Sequence, residues 1–290
     1  MVEMMITVLV LMIVSGTVMK GVLDLTNLHN TIMNRTDMHS GVRNATELLT
    51  QEVGQAGRIA LPAAVTLTAA SAVGDVVLAV DSTTGMFTGE LLNIDTGASQ
   101  ETAAVTAVPN ANQVSVATLT KAHLITAPVK ASGGFAAGVV PTTVANGSTG
   151  ALLKIFGDIN GDGNMVYVEY NCDTVAGRLY RNSMAFNAGA KPAVTVEQIL
   201  IDNIMPNPDG TACFTYQTQT VNGTVFVIDV AITLTVRTIN RDRNTGQFMT
   251  ETKALLNVSP RNVFNVWQLA GLGVTNRVQP IPPTVTALLN

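Results

Sequence analysis

The chain opens with Met1-Val-Glu3-Met-Met-Ile-Thr-Val-Leu-Val-Leu-Met-Ile-Val14-Ser-Gly-Thr-Val-Met-Lys20. One charge, Glu3, precedes the apolar run from Met4 to Val14, and the next ionisable side chain is Lys20. Such a run is marginal for crossing a bilayer alone, which takes about 20 apolar residues. It also differs from a secretory signal, which has positive charge before its apolar segment and an Ala-x-Ala-like site after it. We therefore expect the segment to continue into an amphipathic helix.

The residues after Lys20 support a long helix. Apolar side chains recur at steps of mostly three and four, which predicts one apolar stripe, with polar residues such as Glu52 on other faces. We expect the helix to end near Gly54 or Gly57, because Pro62 is a hard stop. Its length of about 80 Å, at 1.5 Å per residue, exceeds what a domain of this size can cover. The first half should project and be buried by other molecules. The stripe comprises Val22, Leu25, Leu28, Ile32, Val42, Ala45, Leu49, Val53 and Ala56.

The block Val2-Glu3-Met4-Met5-Ile6 resembles the start of a mature type IV pilin or type II secretion pseudopilin. In that family the N-terminal helix begins with a hydrophobic run interrupted by one glutamate. The family glutamate lies two residues further from the mature amino terminus, an offset that a missing aromatic-polar pair would explain. The family's usual proline, near position 20 here, is absent.

The resemblance implies a role for Glu3 in assembly. A carboxylate buried among aliphatic side chains is costly unless it is paired with a cation. The family pairs its glutamate with the free α-amino group of a neighbouring subunit, and this pair sets subunit register. The alternative is that Glu3 only caps the positive end of a membrane helix. The implied assembly surface consists of Glu3, Met4, Ile6, Val8, Leu9, Leu11 and Ile13.

Composition indicates a β-dominated exported protein beyond the helix. Of 290 residues, 47% are hydrophobic and only 12% are charged, with few Lys and Glu relative to β-forming residues. The net charge of −4 provides no basic surface, so we predict no nucleic-acid partner. The predicted fold class is α+β, with a long N-terminal helix followed by β-rich globular domains.

We divide the chain into an N-terminal helix at 1–57, with residues 1–20 as its hydrophobic part, and three further regions. Short alternating strands within 63–134 predict a small inserted β module. Residues 140–277 form the second β domain, and its Leu152–Gly163 and Gly177–Arg181 segments loosely resemble the globular part of larger minor pilins. The Pro-punctuated tail at 278–290 is predicted to be extended, docked on its own sheet or on a neighbour.

A calcium loop is predicted in the second β domain. Oxygen donors at loop positions 1, 3, 5 and 12, with a glycine at position 6, match the spacing of calcium-binding loops. The segment that follows alternates like a strand, and the alternative explanation for the Asn, Gly and Asp residues is a hairpin turn. The candidate ligands are Asp158, Asn160, Asp162, Asn164 and Glu169.

Two other features concern chemistry. The two cysteines, Cys172 and Cys213, are too far apart in sequence for a CxxC motif, and in an exported protein they predict one disulfide. Two buried free thiols are the alternative.

Asp95-Thr-Gly resembles an aspartic protease loop, but that reaction needs two carboxylates, and only a homodimer could supply the second. A turn between strands explains these residues more simply.

The sequence therefore predicts a non-catalytic structural subunit of an extracellular, type IV pilus-like filament on a bacterial surface. Its expected partners are copies of itself, the pilus assembly machinery and, before assembly, the inner membrane. No cofactor is expected beyond the calcium ion. The alternatives are a minor pilin or pseudopilin that initiates or tips a filament, and a membrane-anchored homodimeric aspartic protease using Asp95.

Overall fold

The computed structural model describes residues 2–243 and 245–290, with the side chains of all of these except 255–257. One helix, α1, covers Val2–Gln55 and leads into a β-rich globular body, so the predicted α+β fold is confirmed. The helix ends at Gln55. Two residues later, Gly57 takes a φ of 82°, a left-handed conformation that glycine adopts without strain and that commonly follows the end of a helix.

The apolar residues of α1 do not form the single stripe that the sequence predicts. Val22 and Leu25 are exposed, whereas Val42 and Leu49 are buried against the body. The reason is the ten-residue step from Ile32 to Val42, which is about 2.8 helical turns and therefore moves the stripe to another side of the helix. Only the second set of apolar residues docks the helix on its own body.

The first sheet forms a small closed barrel. Its strands pair in the order β1-β6-β3-β4-β5-β2, and a bridge between Leu67 and Val80 joins the two end strands. Alternate residues point inward and fill a separate apolar core that includes Leu78, Leu92 and Val114. The strands are β1 Val65–Thr66, β2 Val77–Ala79, β3 Leu91–Ile94, β4 Glu101–Asn110, β5 Gln113–Val116 and β6 Pro128–Ala131.

Two antiparallel sheets form most of the rest of the body. One has the order β11-β10-β9-β8; in the other, β14 pairs with β12, β13 and β15. The first strands of this part are β7 Gly134–Phe135, β8 Leu152–Gly157, β9 Val166–Asp173, β10 Arg178–Ala185 and β11 Ile199–Asp202. They are followed by β12 Ile204–Met205, β13 Phe214–Val221, β14 Thr224–Arg237 and β15 Thr250–Val258. Both sheets and the second half of α1 share one core, which contains Leu49, Val53, Val168, Val230 and Leu234.

The C-terminal region closes the body. Helix α2, Arg261–Gly271, is followed by β16, Val278–Gln279, which runs parallel to β7, and by helix α3, Pro283–Leu288. The tail predicted to be extended thus begins as a strand docked on its own body, and the extended prediction is wrong only for Pro283–Leu288. Pro283 can start a helix because its missing N–H needs no partner there. The buried side chains of Val285 and Leu288 then hold the helix in the core.

The two ends of the barrel segment meet. The Phe135 N–H donates a hydrogen bond to the Gly57 carbonyl at 2.8 Å, and Arg58 and Gly134 form an antiparallel bridge. A Cβ atom on Gly134 would lie 2.8 Å from the Gly57 oxygen, so a larger residue would push the two segments apart. The barrel thus leaves and rejoins the body at one place.

Candidate assembly site

The leading half of α1 is an apolar rod without cover from the body. The predicted assembly residues Met4, Ile6, Val8, Leu9, Leu11 and Ile13 are between 49% and 76% exposed. The helix is long and apolar enough to cross a membrane by length and composition, which is consistent with membrane anchoring. A surface of this kind is normally covered by protein or lipid.

Glu3 lies in the first turn of α1, where the partial positive charge of the helix end favours a carboxylate. Its side chain is exposed, as is that of Lys20, the next charged residue. Among the described residues, neither side chain forms an ion pair. The predicted partner of Glu3, the α-amino group of a neighbouring subunit, belongs to another copy of the chain. The Glu3 pairing stays a prediction.

A buried charge, that of Glu52, fixes the docked half of α1 to the body. The sequence pattern placed this residue on a face of the helix away from the core. Glu52 is buried, and the Arg181 Nε donates to its Oε1 at 3.1 Å. The Tyr170 hydroxyl donates to the other carboxylate oxygen. Burial raises the pKa of Tyr170, and the adjacent Glu52 carboxylate raises it further, so the hydroxyl remains a donor. This contact orients the rod relative to the sheets.

Cys172 and Cys213 are bonded, with an S–S distance of 2.02 Å. Cys172 belongs to β9, and Cys213 directly precedes β13. The bond therefore connects the two antiparallel sheets beneath the docked half of α1, where both cysteines contribute to the same core.

The predicted calcium loop connects β8 and β9. Asp158 is buried, its Oδ1 accepts a hydrogen bond from the Gly163 N–H at 3.2 Å, and its Oδ2 lies 3.3 Å from the Arg58 Nε. The Asn164 N–H donates to Asp162 Oδ1 at 2.8 Å, which is a tight-turn contact. Asn160, Asp162 and Asn164 are exposed.

Glu169, the fifth predicted calcium ligand, belongs instead to a separate buried cluster on β9. Its Oε1 accepts from the Lys191 Nζ at 2.7 Å and from the Tyr167 hydroxyl, and it lies 3.5 Å from the Lys154 Nζ. Burial lowers the pKa of Lys154, whereas the Glu169 charge raises it. Within the described residues, no group of three or more His, Cys, Asp or Glu side chains is placed to hold a metal. Calcium binding stays a prediction, with the four remaining loop residues as its ligands.

The barrel contains a buried histidine that sequence reasoning missed. The His123 Nε2 lies 2.7 Å from Glu101 Oε1, and its Nδ1 lies 3.4 Å from Asp95 Oδ2. Asp95, the residue of the aspartic protease alternative, thus sits in a turn beside an imidazole. The His123 side chain is fully buried, whereas Glu101 is 9% exposed and Asp95 is 20% exposed. The three residues share no local spacing, so no sequence motif could have shown this contact.

Comparisons with protein-family models, curated proteins and solved structures gave no match for this chain. The fold places this chain in the class of proteins that have a long, apolar N-terminal helix followed by a β-rich body. Pilin-like proteins share this architecture, and the N-terminal helix and the disulfide are both compatible with it.

Proposed function

We propose that this protein is a structural subunit of an extracellular filament of the type IV pilus kind, assembled through its N-terminal helices. One observation carries the proposal. The first half of α1 is apolar, and its large hydrophobic side chains are exposed from Val2 to Met33. A water-soluble monomer would have no reason to keep such a rod.

The energy available from covering this rod is large. Fully burying one Val, Leu, Ile or Met side chain contributes roughly 1.5–3 kcal/mol. The exposed side chains that would contribute include Met4, Met5, Ile6, Leu9, Leu11, Met12 and Ile13. Several parallel rods can cover one another on all sides, and the β-rich bodies would then lie outside. Lipid can cover the same segment before assembly, which is why we propose an inner-membrane stage.

Glu3 would set the register within this bundle. Rods held only by aliphatic contacts could slide along one another, because apolar contacts are non-directional. A carboxylate moved into the bundle needs a cation nearby. We propose that the α-amino group of a neighbouring subunit supplies it, so only one axial position satisfies the charge.

The test is Glu3→Gln, which removes the charge and keeps the size of the side chain. Asp24→Asn is the matched control, since it makes the same change at an exposed position on the same helix. Losing one partner of a buried pair costs roughly 3–5 kcal/mol, so we expect at least a tenfold loss of sheared surface filaments in electron micrographs. Subunit levels in the membrane fraction should stay unchanged, because Glu3 does not contact the body.

Two outcomes would count against the proposal. Normal filament yield from Glu3→Gln would remove the pairing. Absence of this chain from any surface filament of cells that produce it would remove the filament function itself. Peptide identification in purified filaments also separates a major subunit, which dominates them, from a minor one present in traces.

A further inference from the structure

The exposed part of α1 has two different sides between residues 18 and 34. Counting back from the buried Val42 in steps of three and four gives Met38, Asn34, Thr31 and Asn27, all half-buried. The same series continues to two charged residues, Asp24 and Lys20. The side of the helix that docks on the body therefore continues towards the N-terminus as a polar side.

The opposite side of the same stretch is apolar. Val18, Val22, Leu25 and Ile32 follow one another at helical spacing, with His29 as the one polar member. Their exposed fractions lie between 53% and 68%. No described part of the chain covers them.

The leading segment, residues 4–14, differs from both sides because it is apolar all round. Its one polar side chain is Thr7, whose hydroxyl donates to the Glu3 carbonyl within the helix at 2.9 Å. Such a segment needs apolar neighbours in every direction. The side with Lys20 and Asp24 cannot provide them, since burying those charges without partners is costly.

We propose that the leading segment of a second copy packs on the apolar side of α1, formed by Val18, Val22, Leu25 and Ile32, away from the body. This inference rests on the proposed filament function. The leading segment, residues 4–14, is about 16 Å long and fits within the apolar side, which is about 22 Å long over residues 18–32. Aligning their centres staggers the two parallel rods by about 24 Å. Lys20 and Asp24 then stay hydrated on the outer side.

Cysteine crosslinking in intact filaments tests this arrangement. Both native cysteines are in the disulfide, so introduced cysteines are the free thiols available for oxidation. Leu25→Cys is combined in turn with Val8→Cys, Leu9→Cys, Val10→Cys and Leu11→Cys, because four successive positions cover every face of the leading segment. The matched set replaces Leu25→Cys with Asp24→Cys, on the polar side.

We expect oxidation of at least one Leu25→Cys combination to give a ladder of covalent multimers, because each copy would link to the next. No Asp24→Cys combination should do so. Equal ladders in both sets, or no ladder from any Leu25→Cys combination in filaments that are visible by electron microscopy, would overturn the inference. The second result would also arise if lipid covered this side. Absence of the unmodified chain from surface filaments would instead remove the proposed function.

Discussion

Glu90 shows how a single carboxyl group can make the stability of the barrel depend on pH. It is fully buried beside β3, where its Oε2 accepts one hydrogen bond from the Phe87 N–H at 3.2 Å. Its Oε1 has no hydrogen-bond partner within the described residues. Burial raises the pKa of Glu90 to about 8, because the charged form loses its hydration. The group is therefore protonated in the folded protein at neutral pH.

We predict that the free energy of unfolding falls as pH rises from about 4.5 to about 8. Over this interval the folded state binds a proton that the unfolded state has released, so raising the pH favours unfolding. Glu90→Gln should remove this dependence and stabilise the protein at pH 9 by up to about 5 kcal/mol. Urea unfolding of the full-length protein in mild detergent at several pH values measures both. Parallel pH profiles for the two proteins would contradict the prediction.

The contacts of some residues could be predicted from the local sequence, whereas those of others could not. The turn at Asp158 and the pairing of Cys172 with Cys213 follow from residue types and number. Glu52 could not be placed, because its partners Tyr170 and Arg181 are 118 and 129 positions away in sequence. His123 is likewise defined by contacts with distant residues. Such contacts depend on how strands pair, which residue spacing does not encode.

At the scale of elements, α1 combines a docked half and an exposed half in one continuous helix. Its second half stabilises the subunit by burying Val42, Leu49 and Val53. Its first half contributes nothing to the subunit and is available for other molecules. The helix and its projecting half were predictable from the sequence. The two apolar sides were taken for a single stripe, because the ten-residue step from Ile32 to Val42 looks like a gap in one stripe.

Substitutions in the two halves should therefore affect different properties, the stability of the subunit and the yield of filaments. Leu49→Ala, at a position with no exposed surface, should lower the free energy of unfolding of the subunit by about 2–5 kcal/mol. Leu25→Ala, at a side chain that is 68% exposed, should change it by less than about 0.5 kcal/mol but reduce filament yield. Urea unfolding in detergent and filament counts by electron microscopy measure the two effects. A strong loss of subunit stability from Leu25→Ala would show that the rod folds back on its own body.

On the scale of the whole molecule, the docked half of the helix shares a core with the two-sheet body, and the closed barrel is connected to that body by the junction at Gly57 and by further contacts. The disulfide links the two body sheets across 41 residues of chain. Gln279 connects the tail to the barrel, since its side chain donates to the Leu91 carbonyl at 2.8 Å and accepts from the Leu91 N–H at 2.9 Å. The order of helix and strands was predictable from hydrophobic periodicity. The closure of the barrel and the helical tail were not, because both depend on packing between distant segments.

Removing the disulfide should destabilise the body without unfolding the rod. The double substitution Cys172→Ser and Cys213→Ser is expected to lower the free energy of unfolding by about 2–5 kcal/mol, because the reduced unfolded chain gains conformational freedom. Thermal unfolding of the full-length protein measures the change. A reducing agent should destabilise the native protein by a similar amount and leave the double variant unaffected. An effect of reductant on the variant would point to another cause.

The meeting of Gly57 and Arg58 with Gly134 and Phe135 has a consequence for engineering and for evolution. Since the chain returns to its starting point after the barrel, a short linker could bridge Arg58 to Gly134 and leave the hydrogen-bond geometry at the junction intact. The same gap could accept a different domain whose termini are close together. The junction is thus a point at which one domain can replace another without any change in the sequence of α1 or of the two-sheet body.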